Sequence, residues 1–302
     1  MTGNKLLLCT DMDATIIPSG SHLEHPEARE RFRNLCSCSE VRLAYVSSWS
    51  LDQVTRAIME YNLPMPNHII TDVGTKIYRH HQGAWDEVGA WQKEISHAWN
   101  GKGHAELQHA LAACQDLKLQ ESSNQNEFKL SYYLSLRVPP KQILNWVEQQ
   151  LAQQKVEFEL SWSIDEVKRV GLLDILPRNA GKRDAIEFLL QELNLNLDQV
   201  LFAGDSGSDL PVLSSPIRSV LVANAEAEIR KQAIELSAAY DCSERLYLAR
   251  SENNLFDGNY AAGVLQGIYH FFPEFINESS RRRINCKGMD DVAKHGSRKS
   301  FA

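Results

Sequence analysis

Two aspartates, Asp11 and Asp13, stand two residues apart directly after an apolar run at positions 5–9. An apolar run of this length between polar residues predicts a buried strand. A second acidic stretch, which contains Asp205 and Asp209, follows another apolar run far along the chain. Because loops after parallel strands meet at one edge of an open α/β sheet, the two acidic stretches are predicted to converge on one divalent cation.

These carboxylates suit phosphoryl transfer. The Asp11 carboxylate can attack phosphorus and form an acyl phosphate, which divides hydrolysis into two easier steps. Asp13, on the same tight turn, can protonate the leaving alcohol and then deprotonate the attacking water. A magnesium ion would neutralise the negative charges of carboxylate and phosphate. Asp205 would complete its site from the second loop, and Asp209 would bind directly or through water.

Phosphoryl oxygens also need positive charge and hydrogen-bond donors. Lys182 follows Asn179-Ala180-Gly181 at the start of a predicted helix, where it places a point charge near a helix N-terminus. Ser47, at a predicted strand end, offers a hydroxyl and a backbone N–H. Each of these residues alone is more often a turn, cap or solvated helix residue. Four such features in this order, each at a strand end or helix start, favour one joint site.

The elements that must carry these residues alternate between strand and helix in two parts of the chain. This alternation predicts an α/β core with a mainly parallel sheet. Ser50 and Gln53 form a predicted capping box before one of the helices. The predicted strands lie at 5–9, 41–46, 68–70, 172–176, from 200, and at 219–222, and the predicted helices at 26–35, from 51, 182–193 and around 262–268.

A different pattern separates these two parts. Apolar residues alternate strictly from Phe128 to Leu136 and again from Val156 to Ile164, which predicts half-buried antiparallel strands. A helical stripe lies between them. We therefore predict a smaller α+β domain at 80–168, inserted into a discontinuous core domain, and a disordered tail. The predicted core comprises residues 1–79 and 169–278, and the tail residues 279–302.

Composition narrows the functional classes. The 302-residue chain has a net charge of −7, which argues against nucleic acid as a partner. It has no apolar stretch of transmembrane length and no signal-peptide pattern, so we expect a cytoplasmic protein without a membrane partner. Its six cysteines are scattered and are interpreted as reduced thiols.

The acidic stretches at 11–15 and 204–209, together with Ser47 and Lys182, resemble the four motifs of haloacid dehalogenase (HAD)-superfamily phosphatases. The insertion is similar to the C2-type cap of that superfamily. Within the superfamily, the chain most resembles sucrose-phosphate phosphatases. That narrower resemblance rests on stretches 71–78, 128–134 and 174–182.

The resemblance implies a Rossmann-like core with a cap, and it implies roles for individual residues. Asp11 would be the nucleophile and Asp13 the general acid/base. Ser47 and Lys182 would bind the phosphoryl group. Magnesium would be held by Asp11, the Asp13 carbonyl and Asp205.

Two motifs depart from the family pattern. Where sugar phosphatases usually have Thr-Gly-Arg, this chain has Ser47-Ser48-Trp49, and Ser208 replaces a usual asparagine. Ser48 restricts close backbone approach relative to glycine. Lys129 lies on the polar face of its predicted strand, and we take it as the cap residue that contacts the sugar. The predicted substrate-binding residues are Ser47, Ser48, Ser50, Lys129 and Lys182.

The first hypothesis is a magnesium-dependent sugar-phosphate phosphatase, with sucrose 6-phosphate as the substrate and an aspartyl-phosphate intermediate. Another glycoside or amino-sugar phosphate, such as mannosylfructose phosphate, is the alternative substrate. The alternative of a different class is a non-catalytic sugar-phosphate-binding domain that assists a glycosyltransferase. We expect a monomer, with association with a glycosyltransferase as the alternative.

Overall fold

The computed structural model describes residues 6–20, 22–165, 168–250 and 257–276. Its strands, in chain order, are β1 (Leu6–Thr10), β2 (Val41–Val46), β3 (His68–Thr71), β4 (Lys76–His81), β5 (Ala84–Glu87), β6 (Leu117–Leu119), β7 (Leu130–Leu134), β8 (Phe158–Asp165), β9 (Val170–Pro177), β10 (Val200–Gly204), β11 (Arg218–Leu221) and β12 (Leu246–Leu248). Its α-helices are α1 (Ala28–Cys36), α2 (Leu51–Glu60), α3 (Gly89–Ser96), α4 (His104–Leu111), α5 (Pro140–Gln153), α6 (Lys182–Glu192), α7 (Leu210–Leu213), α8 (Ala227–Ala239) and α9 (Tyr260–Phe271).

Eight strands form the central sheet, in the order β12-β11-β10-β1-β2-β3-β4-β5. The strands from β12 to β3 are parallel, and β4 and β5 extend the sheet in antiparallel fashion. The two strands predicted to carry the acidic stretches, β1 and β10, are direct neighbours at its centre. The predicted mainly parallel core sheet is confirmed.

The packing of β1 explains why its sequence is almost continuously apolar. Leu6 and Leu8 pack into a hydrophobic cluster with α1, α2 and α9 on one face of the sheet. Leu7 and Cys9 pack into the cluster on the opposite face, with α6, α7 and α8. A strand covered on both faces has no solvent side, so its residues from Leu6 to Cys9 are all apolar.

The cap contains the smaller antiparallel sheet, in the order β6-β7-β9-β8. Helices α3, α4 and α5 contribute buried side chains to the hydrophobic cluster that also contains Leu7 and Cys9, among them Trp91, Leu107 and Val147. The predicted α+β cap with an antiparallel sheet is confirmed. The predicted helix between the two alternating stretches is α5.

Sheet membership at the two ends of the insertion differs from the prediction. The strand predicted at 172–176 as part of the core is β9, which pairs with β7 and β8 in the cap sheet. Leu173 and Ile175 are buried there, whereas Leu172 and Asp174 are half-buried. The apolar side chain of Leu172 hid this alternation. Conversely, the end of β4 and all of β5 lie in the range predicted as cap but belong to the central sheet.

Local predictions had mixed outcomes. Helix α2 begins after the predicted Ser50–Gln53 capping box, which is present. Helix α1 begins at Ala28, two residues later than predicted. The predicted disordered tail at 279–302 lies outside the described residues. Five described cysteines are free thiols. None of the described helices is both long and apolar enough to cross a membrane.

Candidate active site

The predicted site residues meet at the carboxyl edge of the central sheet. Asp11 follows β1, and its N–H donates to the Ala203 carbonyl of β10 at 2.8 Å. Ser47 follows β2, and its N–H donates to the Ile70 carbonyl of β3 at 2.9 Å. Asp205 follows β10 directly. Because neighbouring parallel strands end together, residues far apart in sequence come to one edge.

Lys182 ties two of these loops together. It begins α6, and its ammonium donates to Asp11 Oδ2 at 2.8 Å, to Asp209 Oδ1 at 2.7 Å and to Ser208 Oγ at 3.1 Å. The residue is only 3% exposed. Burial alone would lower the pKa of Lys182, but the two carboxylates outweigh it and raise that pKa above its usual range. Lys182 is therefore a buried, charged residue that links the loop of Asp11 to the loop of Asp209.

Asp11 faces this ammonium from a buried position. The pKa of Asp11 is raised to about 7, because burial and the charge on Asp209 raise it more than the charge on Lys182 lowers it. The other oxygen of Asp11 accepts the Met12 N–H at 2.7 Å. The carboxylate is thus fixed in orientation and poorly solvated, and both properties favour its attack on phosphorus.

Asp209 holds the second acidic loop from inside. It is fully buried, and its Oδ2 accepts hydrogen bonds from the Asp205 N–H, the Ser206 N–H and the Ser206 hydroxyl, each at 3.0 Å. The remaining oxygen accepts from Lys182. A side chain at Gly204 would place a Cβ 2.6 Å from Asp209 Cγ, so glycine permits this contact. Asp209 therefore positions Asp205 and Lys182.

The carboxylates fit a divalent cation. Carboxylate oxygens of Asp11, Asp205 and Asp209 lie within 4.8 Å of one another. Three carboxylates face one ammonium, and the pKa of Asp205 is raised well above its usual range by burial, Asp209 and Asp11. Hard oxygen ligands with excess negative charge are the donor set that magnesium prefers. The Thr15 hydroxyl donates to Asp205 Oδ1 at 2.6 Å and orients this side chain.

Asp13 lies outside this carboxylate cluster of the described residues. It is exposed, and it precedes Ala14, whose φ of 52° is left-handed. Neighbouring residues partly shield the carboxyl group from water and raise the pKa of Asp13, and hydrogen bonds from Ser19 and the Ala14 N–H oppose this shift. A separate, more accessible carboxyl group suits proton transfer. The contact of the Asp13 backbone carbonyl with magnesium stays a prediction.

The three serines after β2 differ in what their side chains do. The Ser47 hydroxyl, 1% exposed, accepts the Trp49 N–H at 3.2 Å. Ser48 is exposed. The Ser50 hydroxyl contacts Gln53 Oε1 at 3.1 Å in the helix cap. Capping accounts for Ser50, and its predicted substrate contact stays a prediction. Trp49 packs against the hydrophobic cluster that contains α1, α2 and α9.

Lys129 brings the cap to the core. It lies just before β7 and is 4% exposed. Its ammonium lies 3.4 Å from the Ser48 carbonyl oxygen, 3.9 Å from Asp72 Oδ1 and 3.9 Å from Asp174 Oδ1. Asp72 belongs to the turn after β3, and Asp174 belongs to the cap sheet. These long contacts leave Lys129 with capacity for shorter hydrogen bonds.

The cap and core also meet through backbone and aromatic contacts. The Trp91 indole N–H of α3 donates to the Gly74 carbonyl at 2.9 Å. A Cβ at Gly74 would lie 2.4 Å from the Gly181 carbonyl carbon, so only glycine lets this turn lie against the start of α6. Strand β8 packs against the turn at Gly207–Asp209. The cap thus reaches the elements that hold Lys182 and Asp209.

Two residues of the site, Thr15 and Ser208, had no assigned role in the sequence prediction. Thr15 lies in the first acidic stretch, and its position two residues after Asp13 was the available signal. Ser208 was treated only as a departure from the family pattern. Its hydroxyl accepts a hydrogen bond from the Lys182 ammonium at 3.1 Å.

Comparisons with known proteins agree with this geometry. The model of the sucrose-6F-phosphate phosphohydrolase family matches residues 4–272. A putative HAD-like hydrolase of Nitrosococcus oceani is 42% identical over 89% of this chain and 72% of its own length. Mannosylfructose-phosphate phosphatase of Agrobacterium fabrum is 25% identical over 88% of this chain and 96% of its own.

A solved structure is similar over nearly the same length. Sucrose-phosphatase from Synechocystis, in complex with sucrose and phosphate, has a TM-score of 0.71 at 25% identity, over 89% of this chain and 98% of its own. The chain spans about half the length of the plant sucrose-phosphatases that it matches at 26 to 27% identity.

The α/β core, the cap and the family match together define a phosphatase of the HAD superfamily. Within that superfamily, the chain belongs to the sucrose-6F-phosphate phosphohydrolase family. Its substrate class is therefore the sugar phosphates, and the resemblance noted from the motifs is confirmed.

Proposed function

We propose that this phosphatase removes the phosphoryl group from a glycoside phosphate, with sucrose 6-phosphate as the preferred substrate, through an aspartyl phosphate on Asp11. One observation carries the mechanism: the Lys182 ammonium lies 2.8 Å from Asp11 Oδ2 and 2.7 Å from Asp209 Oδ1. The ammonium favours the ionised form of Asp11 and fixes its orientation. The preference for sucrose 6-phosphate is supported by the family match and by likeness to the Synechocystis sucrose-phosphatase.

The site residues divide the reaction between them. Asp11 attacks phosphorus, and Lys182 and Ser47 bind phosphoryl oxygens at the sheet edge. Asp13 gives a proton to the leaving sugar oxygen, and it later takes one from the water that attacks the phosphoenzyme. Asp11 and Asp205 would hold a magnesium ion together with the Asp13 carbonyl, whereas Asp209 fixes their loop. When bound, magnesium supplies positive charge that offsets the carboxylates and the phosphate.

Lys129 is the proposed sugar-reading residue of the cap. It is buried between the cap sheet and the loops after β2 and β3, and its contacts to Asp72 and Asp174 are both 3.9 Å long. A sugar hydroxyl between these groups would receive and donate shorter hydrogen bonds. Ser48 contributes its carbonyl to the same place. In this proposal the cap recognises the sugar and the core carries out the phosphoryl transfer.

A second candidate substrate is mannosylfructose phosphate. The observation that favours it is the likeness to the Agrobacterium mannosylfructose-phosphate phosphatase, which extends over 96% of that protein. Both substrates are disaccharide phosphates, so the same chemistry serves both. The intact Asp11, Asp13 and Lys182 argue against the non-catalytic alternative, because a binding domain needs neither a nucleophile nor an acid/base.

The test is phosphate release with and without magnesium from a panel of sugar phosphates. The panel comprises sucrose 6-phosphate, mannosylfructose phosphate, trehalose 6-phosphate, glucose 6-phosphate and an amino-sugar phosphate. We expect the highest kcat/KM with sucrose 6-phosphate and loss of activity with a chelator. A higher kcat/KM with mannosylfructose phosphate would replace the substrate assignment. Undiminished turnover after chelation would contradict the magnesium requirement.

A further inference from the structure

Two side chains from distant parts of the chain hold the loop that carries Asp13. The Asn224 amide donates to the Ala14 carbonyl oxygen at 2.6 Å, across 210 residues of sequence. The Tyr260 hydroxyl donates to the Ser19 carbonyl oxygen at 2.6 Å, across 241 residues. Both hydrogen bonds are short for their type, and both end on the segment that immediately follows Asp13.

Asn224 is placed to connect three segments. It lies in the turn after β11, at the same sheet edge as Asp11 and Asp205. Its amide N–H₂ group contacts Ala14, and its Oδ1 accepts the Tyr260 N–H at 2.9 Å. The amide therefore uses a donor on one side and its acceptor on the other, a pairing that neither aspartate nor leucine can reproduce.

Tyr260 is placed as firmly as Asn224. Its side chain is fully buried at the start of α9, and its φ of 49° is left-handed, a conformation that tyrosine adopts only when its surroundings hold it there. The preceding residue, Asn259, donates to the Leu23 carbonyl oxygen at 3.4 Å. The start of α9 thus holds the carbonyls of the segment that follows Asp13.

The loop also has contacts of its own, because the Ile16 and Ile17 N–H groups donate to the Met12 carbonyl at 3.0 and 2.8 Å, but Asn224 and Tyr260 hold the residues that contact Asp13. The Asp13 side chain is exposed, and its carboxylate accepts hydrogen bonds from Ser19 and from the Ala14 N–H. These are the same two residues whose carbonyls Asn224 and Tyr260 hold. Ala14 is itself left-handed, so the direction of the turn depends on contacts that keep it there.

We propose that Asn224 and Tyr260 are positioning residues that aim the Asp13 carboxyl group at the leaving oxygen of the substrate. This inference rests on the proposed function, in which Asp13 is the general acid. In that step the Asp11 oxygen–phosphorus bond forms as the bond from phosphorus to the sugar oxygen breaks. The proton passes from Asp13 to that sugar oxygen, so the alcohol leaves neutral.

Leaving-group chemistry separates this role from a structural one. A sugar alkoxide is a poor leaving group and needs the proton from Asp13, whereas 4-nitrophenolate leaves without it. The ratio kcat/KM reports only the steps through release of the leaving group. A misaimed Asp13 therefore lowers kcat/KM for a sugar phosphate but not for 4-nitrophenyl phosphate. A generally disturbed site lowers both.

The experiment compares two variants with a matched control. Asn224→Asp keeps an acceptor for the Tyr260 N–H but loses the donor to Ala14. Tyr260→Phe removes only the hydroxyl and changes no charge, so agreement between the two excludes a charge effect. Tyr247→Phe is the control, because its hydroxyl contacts Gln266 at 3.5 Å instead of the Asp13 loop. Thermal unfolding checks that each variant is folded.

We expect kcat/KM for sucrose 6-phosphate, or for the panel substrate that is turned over fastest, to fall at least tenfold in both variants. For 4-nitrophenyl phosphate it should fall less than threefold, and the control should match the wild type with both esters. Equal losses with the two esters, or no loss with either, would overturn the inference.

Asp13→Asn is the reference variant that distinguishes the positioning role of Asn224 and Tyr260 from the general-acid role of Asp13. A selective loss with the sugar phosphate in Asp13→Asn supports the general-acid assignment. If that selectivity is present there but absent from Asn224→Asp and Tyr260→Phe, the positioning role is wrong and the acid assignment stands. If Asp13→Asn itself shows equal losses with both esters, the acid assignment and the positioning role fall together.

Discussion

Two buried lysines, Lys182 in the core and Lys129 in the cap, differ in how closely their partners approach. The Lys182 ammonium has three partners at 2.7 to 3.1 Å, two of them carboxylates. The Lys129 ammonium has two carboxylates at 3.9 Å and a carbonyl at 3.4 Å. The two residues are similarly inaccessible, at 3% and 4% exposure.

The difference indicates that the ammonium of Lys182 has all of its hydrogen-bond partners within the protein, whereas that of Lys129 can still accept a ligand as a partner. Charge-assisted hydrogen bonds are normally 2.7–2.9 Å long, so the bonds of Lys182 are complete. Those of Lys129 are longer than a hydrogen bond to either carboxylate requires. On this basis we assign Lys182 to the fixed part of the site and propose that Lys129 belongs to the surface that receives the sugar.

Removing Lys182 should have the largest effect. In Lys182→Met, Asp11 and Asp209 would remain buried without their counter-charge, which costs about 3–5 kcal/mol of stability. Loss of an oriented cation at the reacting phosphoryl group should lower kcat by about a thousandfold. Denaturant unfolding and phosphate release measure the two effects.

Arg183→Met is the matched control for that variant. Arg183 is the next residue of α6, and its guanidinium forms an i,i+4 ion pair with Glu187 at 2.8 Å on the surface. We expect this change to leave kcat near the wild-type value, because exposed pairs of this kind contribute little. Similar losses in both variants would mean that the start of α6 is generally fragile, and the contrast between the lysines would fail.

Removing Lys129 should have a smaller and more selective effect. Lys129→Met removes one charge-assisted contact to the sugar, so KM for sucrose 6-phosphate should rise about tenfold. The kcat/KM for 4-nitrophenyl phosphate, which has no sugar, should change less than threefold. Steady-state kinetics with the two esters measure this difference.

Lys118→Met provides the comparison within the cap, because Lys118 is an exposed residue of β6. It should alter neither ester. If Lys129→Met slowed both esters equally, Lys129 would support the closed arrangement of cap and core instead of reading the sugar. The two lysines would then share a structural role.

The sequence predicted the core because its chemistry sits at strand ends. Asp11, Ser47 and Asp205 each follow an apolar run, and parallel strands bring such ends to one edge regardless of the distance along the chain. Lys182 was recognisable from its place at a helix start. For these residues local patterns and topology agree, so their convergence followed from the sequence.

Other features depended on contacts that no local pattern encodes. The cap strand β9 was assigned to the core because Leu172 makes its alternating burial resemble a continuously buried strand. The amide of Asn224 and the hydroxyl of Tyr260 gave no sign of their partners, which are more than 200 residues away. The metal-ligand role of Asp209 stays a prediction, and no pattern in the sequence indicated that its oxygens also accept hydrogen bonds from Lys182 and from its own loop.

The most direct test of the central claim is detection of phosphate on Asp11. The enzyme would be mixed with magnesium and 4-nitrophenyl phosphate, whose leaving group needs no proton from Asp13, then quenched in acid and mapped by peptide mass spectrometry. Asp13→Asn would be included because loss of the general base slows hydrolysis of the intermediate. We predict one phosphoryl group on the peptide containing Asp11, most abundant in Asp13→Asn and absent from Asp11→Asn. Phosphate release without any labelled enzyme, or a label on another residue, would contradict the account.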